Sequence, residues 1–299
     1  LPAQTDGTGY VFQDHLKAVI VANDDGVFTV NGLTGNSNVA NALTNDQFNG
    51  AAVLPAQIIM TVITPATNPG VTLNTSTGQI AVAPGTPAGT YTIDYQICDV
   101  ADTSTCDPAR ITVTVSAAPI AAVSESIGGI NGLTGQSNVL NALTGDTLNG
   151  VAVTTSNVTI SVAPGFSVPA GLTFDTATGN VSVSPGTPAG PYTFNYRICE
   201  ILNPLNCANA TETVTVVAAP ITAVDDSQSG INGAAGASDV LNVLTGDTLN
   251  GAAATTGNVF FLMIRRPPRS TLFPSRRSSD LVSVSPGTAA GPYTFDYRI

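Results

Sequence analysis

The sequence has few of the residue types that catalysis uses. Its 299 residues include no tryptophan and a single histidine, His15, and only 10% of them are charged. It has no paired glutamates, no G-x-S-x-G motif and no Cys-His arrangement. No general base or nucleophile can therefore be named, and the sequence predicts that this chain is not an enzyme. We expect His15 to be solvated rather than functional.

Basic residues are also scarce. Nine lysines and arginines stand against twenty aspartates and glutamates, which gives a net charge of −11. Because so acidic a surface repels phosphate groups, neither nucleic acid nor an anionic membrane is expected as a partner. The sequence also contains no apolar run long enough to cross a membrane, so we predict no membrane insertion in this chain.

The apolar residues lack the spacing of three to four that marks an amphipathic helix. Threonine, glycine, alanine, valine and asparagine dominate, and apolar residues alternate with polar ones in short runs. This pattern is typical of β-sandwich domains with many turns, and it argues against a helical bundle or coiled coil.

One stretch occurs three times, with a step of 101 residues, and organises the chain. It reads PGTPAGTYTIDYQIC at 84–98, PGTPAGPYTFNYRIC at 185–199 and PGTAAGPYTFDYRI at 286–299. The proline- and glycine-rich half predicts a turn, and the alternating half predicts a strand with one face in a core. The residues predicted to face the core in the two complete copies are Tyr91, Ile93, Tyr95, Ile97, Tyr192, Phe194, Tyr196 and Ile198.

A second alternating run follows this strand, at 109–115 and again at 213–217, and predicts an antiparallel hairpin. A cysteine lies on each side of the hairpin loop, and by parity both members of a pair share the outward face. The pairs are Cys98 with Cys106 and Cys199 with Cys207. We predict two disulfides, and hence an oxidising extracellular or cell-surface setting. Zinc is the alternative, but each pair lacks two further ligands.

The repeated motifs divide the chain into units. We predict a tail or linker at 1–18, repeat 1 at 19–118, repeat 2 at 119–219 and an incomplete repeat 3 at 220–299. Each complete repeat contains about seven predicted strands, the number in an immunoglobulin-like β-sandwich. The sequence thus predicts an all-β chain of tandem immunoglobulin-like β-sandwich domains. Linkers of the type AAP are short, which favours a stiff rod.

Several segments within the repeats carry their own predictions. A first strand is predicted at 19–26, and a tight hairpin is predicted from GLTFDTATGNVSV at 171–183. Stretches rich in asparagine and glycine begin at Asn31, Asn131 and Asn232. They predict loops with Asx turns and left-handed residues around a short strand.

Residues 260–281 break the pattern of repeat 3. Where repeat 2 reads TISVAPGFSVPAGLTFDTATGN, repeat 3 reads FFLMIRRPPRSTLFPSRRSSDL, which holds five of the nine basic residues. With one base deleted at Ser275, a common sequencing adapter encodes every residue from Met263 to Leu281. We therefore interpret the segment as translated adapter rather than a basic loop for nucleic acid or heparin. It is predicted to have no fold compatible with the repeat.

The motifs AVDDS, NVLTGDTLNG and GLTFDTATGNVSVSPGTPAGPYTFNYRIC, with the closing TVTVV strand, resemble bacterial immunoglobulin-like or cadherin-like tandem repeats. The version ending in YRIC resembles those of Bacteroidetes-type bacteria. The resemblance covers about 19–259 and the last eighteen residues. It implies a β-sandwich, export, and service as a stalk or adhesive array in a secreted or surface protein.

Some cadherin-like repeats bind calcium through carboxylates, and the resemblance implies a calcium site here. The matching positions are Asp24, Asp25, Asp225 and Asp226, with Asp46, Asp146 and Asp247 in the second loop. Calcium requires six to eight oxygen ligands. Repeat 2 departs from the pattern, with Ser124 and Glu125 in place of the aspartate pair. The alternative is that all these carboxylates form turns and are solvated.

Together these inferences predict a non-catalytic extracellular repeat array, a stalk, spacer or adhesive segment of a large bacterial surface or secreted protein. Its partners would be a surface ligand or neighbouring repeats of the same chain. The alternative is a carbohydrate- or protein-binding module that accompanies a catalytic domain elsewhere. The inward-facing aromatic residues and the absence of tryptophan argue against a surface that stacks on sugars.

Overall fold

The structure is a computed structural model, and it describes residues 17–260, 262–265, 272–273 and 280–299. The described residues are nearly all in strands, turns and loops, with one 3-10 turn at Pro55–Gln57. His15 and most of the predicted tail or linker lie outside the described residues, and so does most of the predicted adapter segment.

Repeat 1 is a β-sandwich of two facing sheets. Its strands are β1 Ile20–Val21, β2 Asp25–Asn31, β3 Asn36–Asn41, β4 Gln47–Phe48, β5 Ala51–Ala52, β6 Ile58–Thr64, β7 Val71–Leu73, β8 Gln79–Val82, β9 Gly89–Asp99 and β10 Cys106–Ser116. One sheet has the order β2-β10-β9-β6 and the other β3-β8-β7. These seven strands match the predicted number, and a small third sheet, β1-β4-β5, adds three strands of two residues each.

The alternation along β9 places its apolar side chains in the core, as predicted. Ile93, Tyr95 and Ile97 are each at most 2% exposed, and they pack between the two sheets. The antiparallel hairpin with β10 is also confirmed, because Ile111 lies opposite Ile93 and Cys106 opposite Cys98. The core of repeat 1 is therefore built around this hairpin.

The first strand differs from the prediction. The segment 19–26 contains the short β1, which pairs with β4, and the start of β2, which pairs in parallel with β10. Between them the chain crosses from one sheet to the other, held by hydrogen bonds from the Ala22 and Asn23 N–H groups to the Asp107 and Asp46 carboxylates. Because those side chains capture the backbone donors, one continuous strand does not form.

The asparagine-rich stretch 31–50 has the predicted Asx turns, in which the Leu33 and Leu43 N–H groups donate to Asn31 and Asn41. It is more ordered than a loop around a single strand, since it also contains β4. Asn49 and Gly50 both have positive φ, 52° and 76°, and form the two-residue turn between β4 and β5. An Asn-Gly pair favours this turn because both residues tolerate the left-handed region.

Repeat 2 has the same architecture. Its strands are β11 Ile120–Ala121, β12 Ser126–Asn131, β13 Gln136–Asn141, β14 Thr147–Leu148, β15 Val151–Ala152, β16 Val158–Val162, β17 Leu172–Phe174, β18 Asn180–Val183, β19 Gly190–Glu200 and β20 Cys207–Val217. The sheets are β12-β20-β19-β16, β13-β18-β17 and β11-β14-β15. The predicted hairpin at 171–183 is confirmed by the antiparallel pairing of β17 with β18.

Repeat 3 keeps part of this frame. Its strands are β21 Ile221–Thr222, β22 Ala237–Asn242, β23 Thr248–Leu249, β24 Ala252–Ala253, β25 Leu262–Arg265, β26 Leu272–Phe273, β27 Leu281–Val284 and β28 Asp296–Arg298. Among its described residues no strand matches β2 or β12. In repeats 1 and 2 those strands pair in parallel with β10 and β20.

The prediction that residues 260–281 have no fold compatible with the repeat is wrong for the two described stretches. Leu262–Arg265 pairs with β28, and Leu272–Phe273 pairs with β27, where β16 and β17 pair in repeat 2. Strand pairing uses backbone groups, so an unrelated sequence can occupy an open sheet edge. The rest of the segment lies outside the described residues.

Candidate functional site

Each cysteine pair closes the hairpin of its repeat. Cys98 bonds to Cys106 and Cys199 to Cys207, and no free cysteine remains. Cys98 was predicted on the outward face, yet it is only 6% exposed. It is covered because Ile59 of β6 lies beside it on one side and Cys106 on the other.

A buried acid–tyrosine cluster recurs in the repeats. In repeat 1 the Tyr95 hydroxyl donates to the carboxylates of Asp46, over 3.2 Å, and Asp25, over 3.3 Å. Asp46 also accepts the Asn23 N–H over 2.8 Å. The cluster therefore ties the second loop, the first crossing and the central strand together.

Repeats 2 and 3 build the same tie from matching residues. The Tyr196 hydroxyl donates to both carboxylate oxygens of Asp146 at 2.9 Å, and the Val123 N–H donates to Asp146 at 2.7 Å. In repeat 3, Tyr297 donates to Asp247, which also accepts a backbone N–H over 2.7 Å. The recurrence indicates a structural role for this aspartate in every repeat.

These carboxylates are not solvated, so that alternative is wrong for four of the candidates. The buried aspartates are Asp25, Asp46, Asp146 and Asp247, none more than 7% exposed. Burial and, to a smaller extent, the neighbouring Asp46 carboxylate raise the pKa of Asp25 to about 7. Burial also raises the pKa of Asp46 and Asp146.

Repeat 2 adds a second buried acid to its cluster. Glu212 lies opposite Phe194 in the β19–β20 hairpin, the position that Ile111 occupies opposite Ile93 in repeat 1. Its side chain is fully buried, and neither it nor Glu125 has a hydrogen-bond donor in the part of the chain the structure describes. When both side chains are ionised, neither can donate a hydrogen bond to the other. When one of them is protonated, its O–H can donate to the carboxylate of the other. Burial, then hydrogen bonding and repulsion from Glu125, raise the pKa of Glu212 to about 9.

The two predicted calcium positions in repeat 1 bond to different partners. Asp24 and Asp25 act separately: Asp24 accepts the Arg110 N–H at 2.8 Å, whereas Asp25 faces Tyr95. In the described residues, no three His, Cys, Asp or Glu side chains group closely enough to hold a metal ion. The single proton of the Tyr95 hydroxyl is directed at the carboxylates of both Asp25 and Asp46. Asp225 and Asp226 follow the same order in sequence, and Asp226 has a pKa raised by burial.

The junction between repeats 1 and 2 is built from hydrogen bonds and an apolar contact. Nδ2 of Asn31, at the end of β2, donates to Oδ1 of Asn149 over 3.0 Å. The Ala88 N–H donates to Oδ1 of Asn203 over 2.7 Å. Leu33 packs against the core of repeat 2. Asn31 was predicted as a turn residue, and its contact with the next repeat was not predicted.

The junction between repeats 2 and 3 reproduces the first of these contacts. Nδ2 of Asn131 donates to Oδ1 of Asn250 over 2.7 Å. The linker residue Ala118, at the earlier junction, is 1% exposed, and its carbonyl accepts a hydrogen bond from Asn206. A linker buried and bonded in this way cannot act as a free hinge.

Comparison with known proteins gives no family assignment. No protein-family model matches the chain, and no curated protein matches it. Solved structures with some similarity include repeats EC22–24 of mouse cadherin-23, 12% identical over 89% of this chain and 87% of that one, with a TM-score of 0.35. The human desmocollin-1 ectodomain is 10% identical over 90% of this chain and 54% of that one, with a TM-score of 0.34.

Protocadherin gamma B2 repeats 3–6 are 12% identical over 67% of this chain, with a TM-score of 0.30. The match spans 51% of that protocadherin chain. Similarities of this size carry no statement about function. Separately, no helix among the described residues is long and apolar enough to span a membrane.

Proposed function

We propose that this chain is a non-catalytic extracellular repeat array that serves as a stalk, spacer or adhesive segment of a large bacterial surface or secreted protein. The observation that carries the proposal is the asparagine–asparagine hydrogen bond, which occurs in the same form at both junctions. A contact repeated at successive junctions favours the same relative orientation of successive repeats, which is what a spacer requires.

Two disulfides support the extracellular setting, because such bonds persist in oxidising compartments and are rare in reducing ones. The partners in this proposal are the neighbouring repeats and a surface ligand. The carbohydrate-binding alternative gains no support from the core strands. Tyr95, Phe194 and Tyr196 are each at most 2% exposed and cannot stack on a sugar.

Solution X-ray scattering of the intact chain tests the stalk. We expect the profile of an elongated particle in which repeats 1 and 2 hold a fixed arrangement. The double variant Asn31→Ala/Asn131→Ala is expected to scatter as a more flexible chain, and Asn38→Ala, an exposed asparagine in β3, is the matched control. A wild-type profile that requires freely tumbling repeats would overturn the proposal.

We also propose the repeat boundaries 19–118, 119–219 and 220–299, and an adapter origin for residues 260–281. Long-read resequencing of the gene from its source tests the origin of this segment. The expected reading frame runs through repeat 3 with strands like those at 158–183. The same FFLMIRRPPRSTLFPSRRSSDL sequence in independently cloned DNA would overturn the adapter origin.

A further inference from the structure

The residue that precedes the first strand differs between the repeats in one chemical respect. Repeat 1 has Val19 at this position, whereas repeats 2 and 3 have Pro119 and Pro220. In all three repeats its carbonyl accepts the backbone N–H of the asparagine in the Asn-Gly turn, over 2.7 to 2.8 Å. Proline has no N–H of its own, so only Val19 can donate from the backbone.

In repeat 1 that donor is used within the repeat. The Val19 N–H donates to Oδ1 of Asn49 over 2.8 Å, while the Asn49 N–H donates back to the Val19 carbonyl. The two residues therefore form a closed, reciprocal pair. The side-chain oxygen of Asn49 faces the repeat's own backbone.

In repeats 2 and 3 the proline leaves the corresponding side-chain oxygen without this internal donor. The donor comes instead from the preceding repeat, as Nδ2 of Asn31 for Asn149 and Nδ2 of Asn131 for Asn250. The presence of a proline and the presence of a contact between repeats thus coincide at both junctions.

The donor side is fixed by its own turn. Oδ1 of Asn31 accepts the Leu33 N–H over 3.0 Å, and Oδ1 of Asn131 accepts the Leu133 N–H over 3.0 Å. With the oxygen held in an Asx turn, the amide nitrogen must point outward as the donor. The following residue, Gly32, lies so close to the Thr86 carbonyl oxygen that a Cβ there would collide with it. This close packing orients the turn.

We propose that the residue before the first strand decides whether a repeat can dock onto the one before it. With proline at this position, the side-chain oxygen of the asparagine in the Asn-Gly turn is left to accept a hydrogen bond from the asparagine amide of another repeat. With a residue that has a backbone N–H, that oxygen is bonded within its own repeat. The partner that this surface takes is the strand-end asparagine of another repeat of the same type. Asn232 presents the same Asx turn at the corresponding end of repeat 3, with its oxygen bonded to the Ala234 N–H.

An amide oxygen has two lone pairs, so the closure depends on the direction of the side chain rather than on capacity alone. The test must therefore follow both donors. It uses the full chain labelled with ¹⁵N, with the variant Pro119→Ala and the control Pro164→Ala. Pro164 lies in an exposed turn of repeat 2 away from the junction, and its replacement also introduces a new N–H.

We expect the N–H that Pro119→Ala introduces to exchange with solvent at least tenfold more slowly than the N–H that the control Pro164→Ala introduces. The Val19 N–H should show the same slow exchange. In the Pro119→Ala variant the Asn31 side-chain amide should lose its protection, and distances between spin labels on repeats 1 and 2 should spread. Unchanged peaks from Tyr196 would show that repeat 2 remains folded. An unprotected N–H at position 119, or a protected one with the Asn31 amide unaffected, overturns the proposal.

This proposal rests on the proposed stalk function only in that the contact between repeats is taken to stiffen the stalk. The experiment can contradict either one without the other. If the distribution of spin-label distances is already broad in the wild-type chain, the stalk function is contradicted. The exchange rate of the new N–H at position 119 then still tests the role of the proline. If the distribution is narrow and Pro119→Ala leaves exchange and distances unchanged relative to Pro164→Ala, the proline has no such role and the stalk stands.

Discussion

Repeats 1 and 2 have the same arrangement of strands, but one buried position carries an aliphatic residue in repeat 1 and an acidic residue in repeat 2. Opposite the central strand, repeat 1 has Ile111, which is fully buried in an apolar core, and repeat 2 has Glu212, which is equally buried. The neighbouring crossing carries Asp25 in repeat 1 and Glu125 in repeat 2. A single sandwich thus accepts either an aliphatic side chain or an acid at one point.

The difference shows what makes a buried acid tolerable. An isolated buried carboxylate is very costly, whereas a neutral carboxylic acid that donates to a second carboxyl group costs far less. Glu212 has Glu125 beside it, and the shared proton supplies the hydrogen bond that neither carboxylate has alone. In repeat 1, the carboxyl groups that could pair with an acid at position 111 are those of Asp25 and Asp46, and both already bond to Tyr95.

Transplanting the acid into repeat 1 should have the largest effect. We expect Ile111→Glu to destabilise repeat 1 by about 4 kcal/mol, because an apolar side chain is lost and a carboxyl group is buried without a free partner. Urea unfolding followed by NMR peaks of Tyr95 and Tyr196 reports each repeat separately. Ile111→Val, which keeps the core apolar, should cost about 1 kcal/mol. Equal effects of the two variants would contradict the comparison.

The disulfides provide an internal standard, because they close loops of equal length in the two repeats, with a sequence separation of 8 in each. Replacing either pair with serines should lower the stability of its own repeat by about 2–3 kcal/mol. The same urea experiment measures both. A clearly larger loss in repeat 2 would mean that its acid cluster depends on the hairpin end, and the comparison would need revision.

The reverse transplant should stabilise repeat 2. Glu212→Ile removes the buried acid and restores the residue type of repeat 1, with an expected gain of about 2 kcal/mol at neutral pH. Glu212→Gln keeps the shape and removes the titration, and it is expected to gain less. A loss of stability in Glu212→Ile would show that the acid is needed for packing in repeat 2.

The two repeats should also differ in the pH range over which they lose stability. A carboxyl group with a raised pKa binds its proton more tightly in the folded than in the unfolded protein. The stability that this proton binding contributes is complete below the unfolded pKa, near 4, and is lost as the pH rises through the folded pKa. The folded values are about 7 for Asp25 and about 9 for Glu212. As the pH rises, the free energy of unfolding of repeat 1 should therefore stop falling near pH 7, while that of repeat 2 continues to fall toward pH 9.

The slope for repeat 2 between pH 7 and 9 should approach about 1.4 kcal/mol per pH unit at most. Urea midpoints measured across this range give the slope directly. Glu212→Gln should flatten the curve of repeat 2 and leave that of repeat 1 unchanged. A wild-type curve for repeat 2 that is already flat above pH 7 would show that Glu212 is ionised at neutral pH.

The hairpin that dominates each repeat could be predicted because its signals are local. Strict alternation predicted the buried side chains at 93, 95 and 97, although Tyr91 is only half-buried, and the proline- and glycine-rich turn marked where the strand begins. The parallel pairing of β2 with β10 could not be predicted, because period-two alternation identifies a strand and says nothing about its neighbour.

The acid–tyrosine cluster was missed because its members are distant in sequence. Asp46 lies among asparagines and glycines and has the local pattern of a turn residue, yet its burial depends on Tyr95, 49 residues away. Glu212 could have been found, since it shares the inward parity of Val214 and Val216. The junction contact could not be predicted, because Asn31 has the local pattern of a turn residue and its partner Asn149 is 118 residues away.

We propose that contacts at the junctions hold successive repeats in a fixed orientation. Residual dipolar couplings from repeats 1 and 2, measured on the intact chain in one alignment medium, test it most directly. We expect one alignment tensor to fit both repeats of the wild-type chain, and the Asn31→Ala variant to require two. Separate tensors for the wild-type repeats would contradict it.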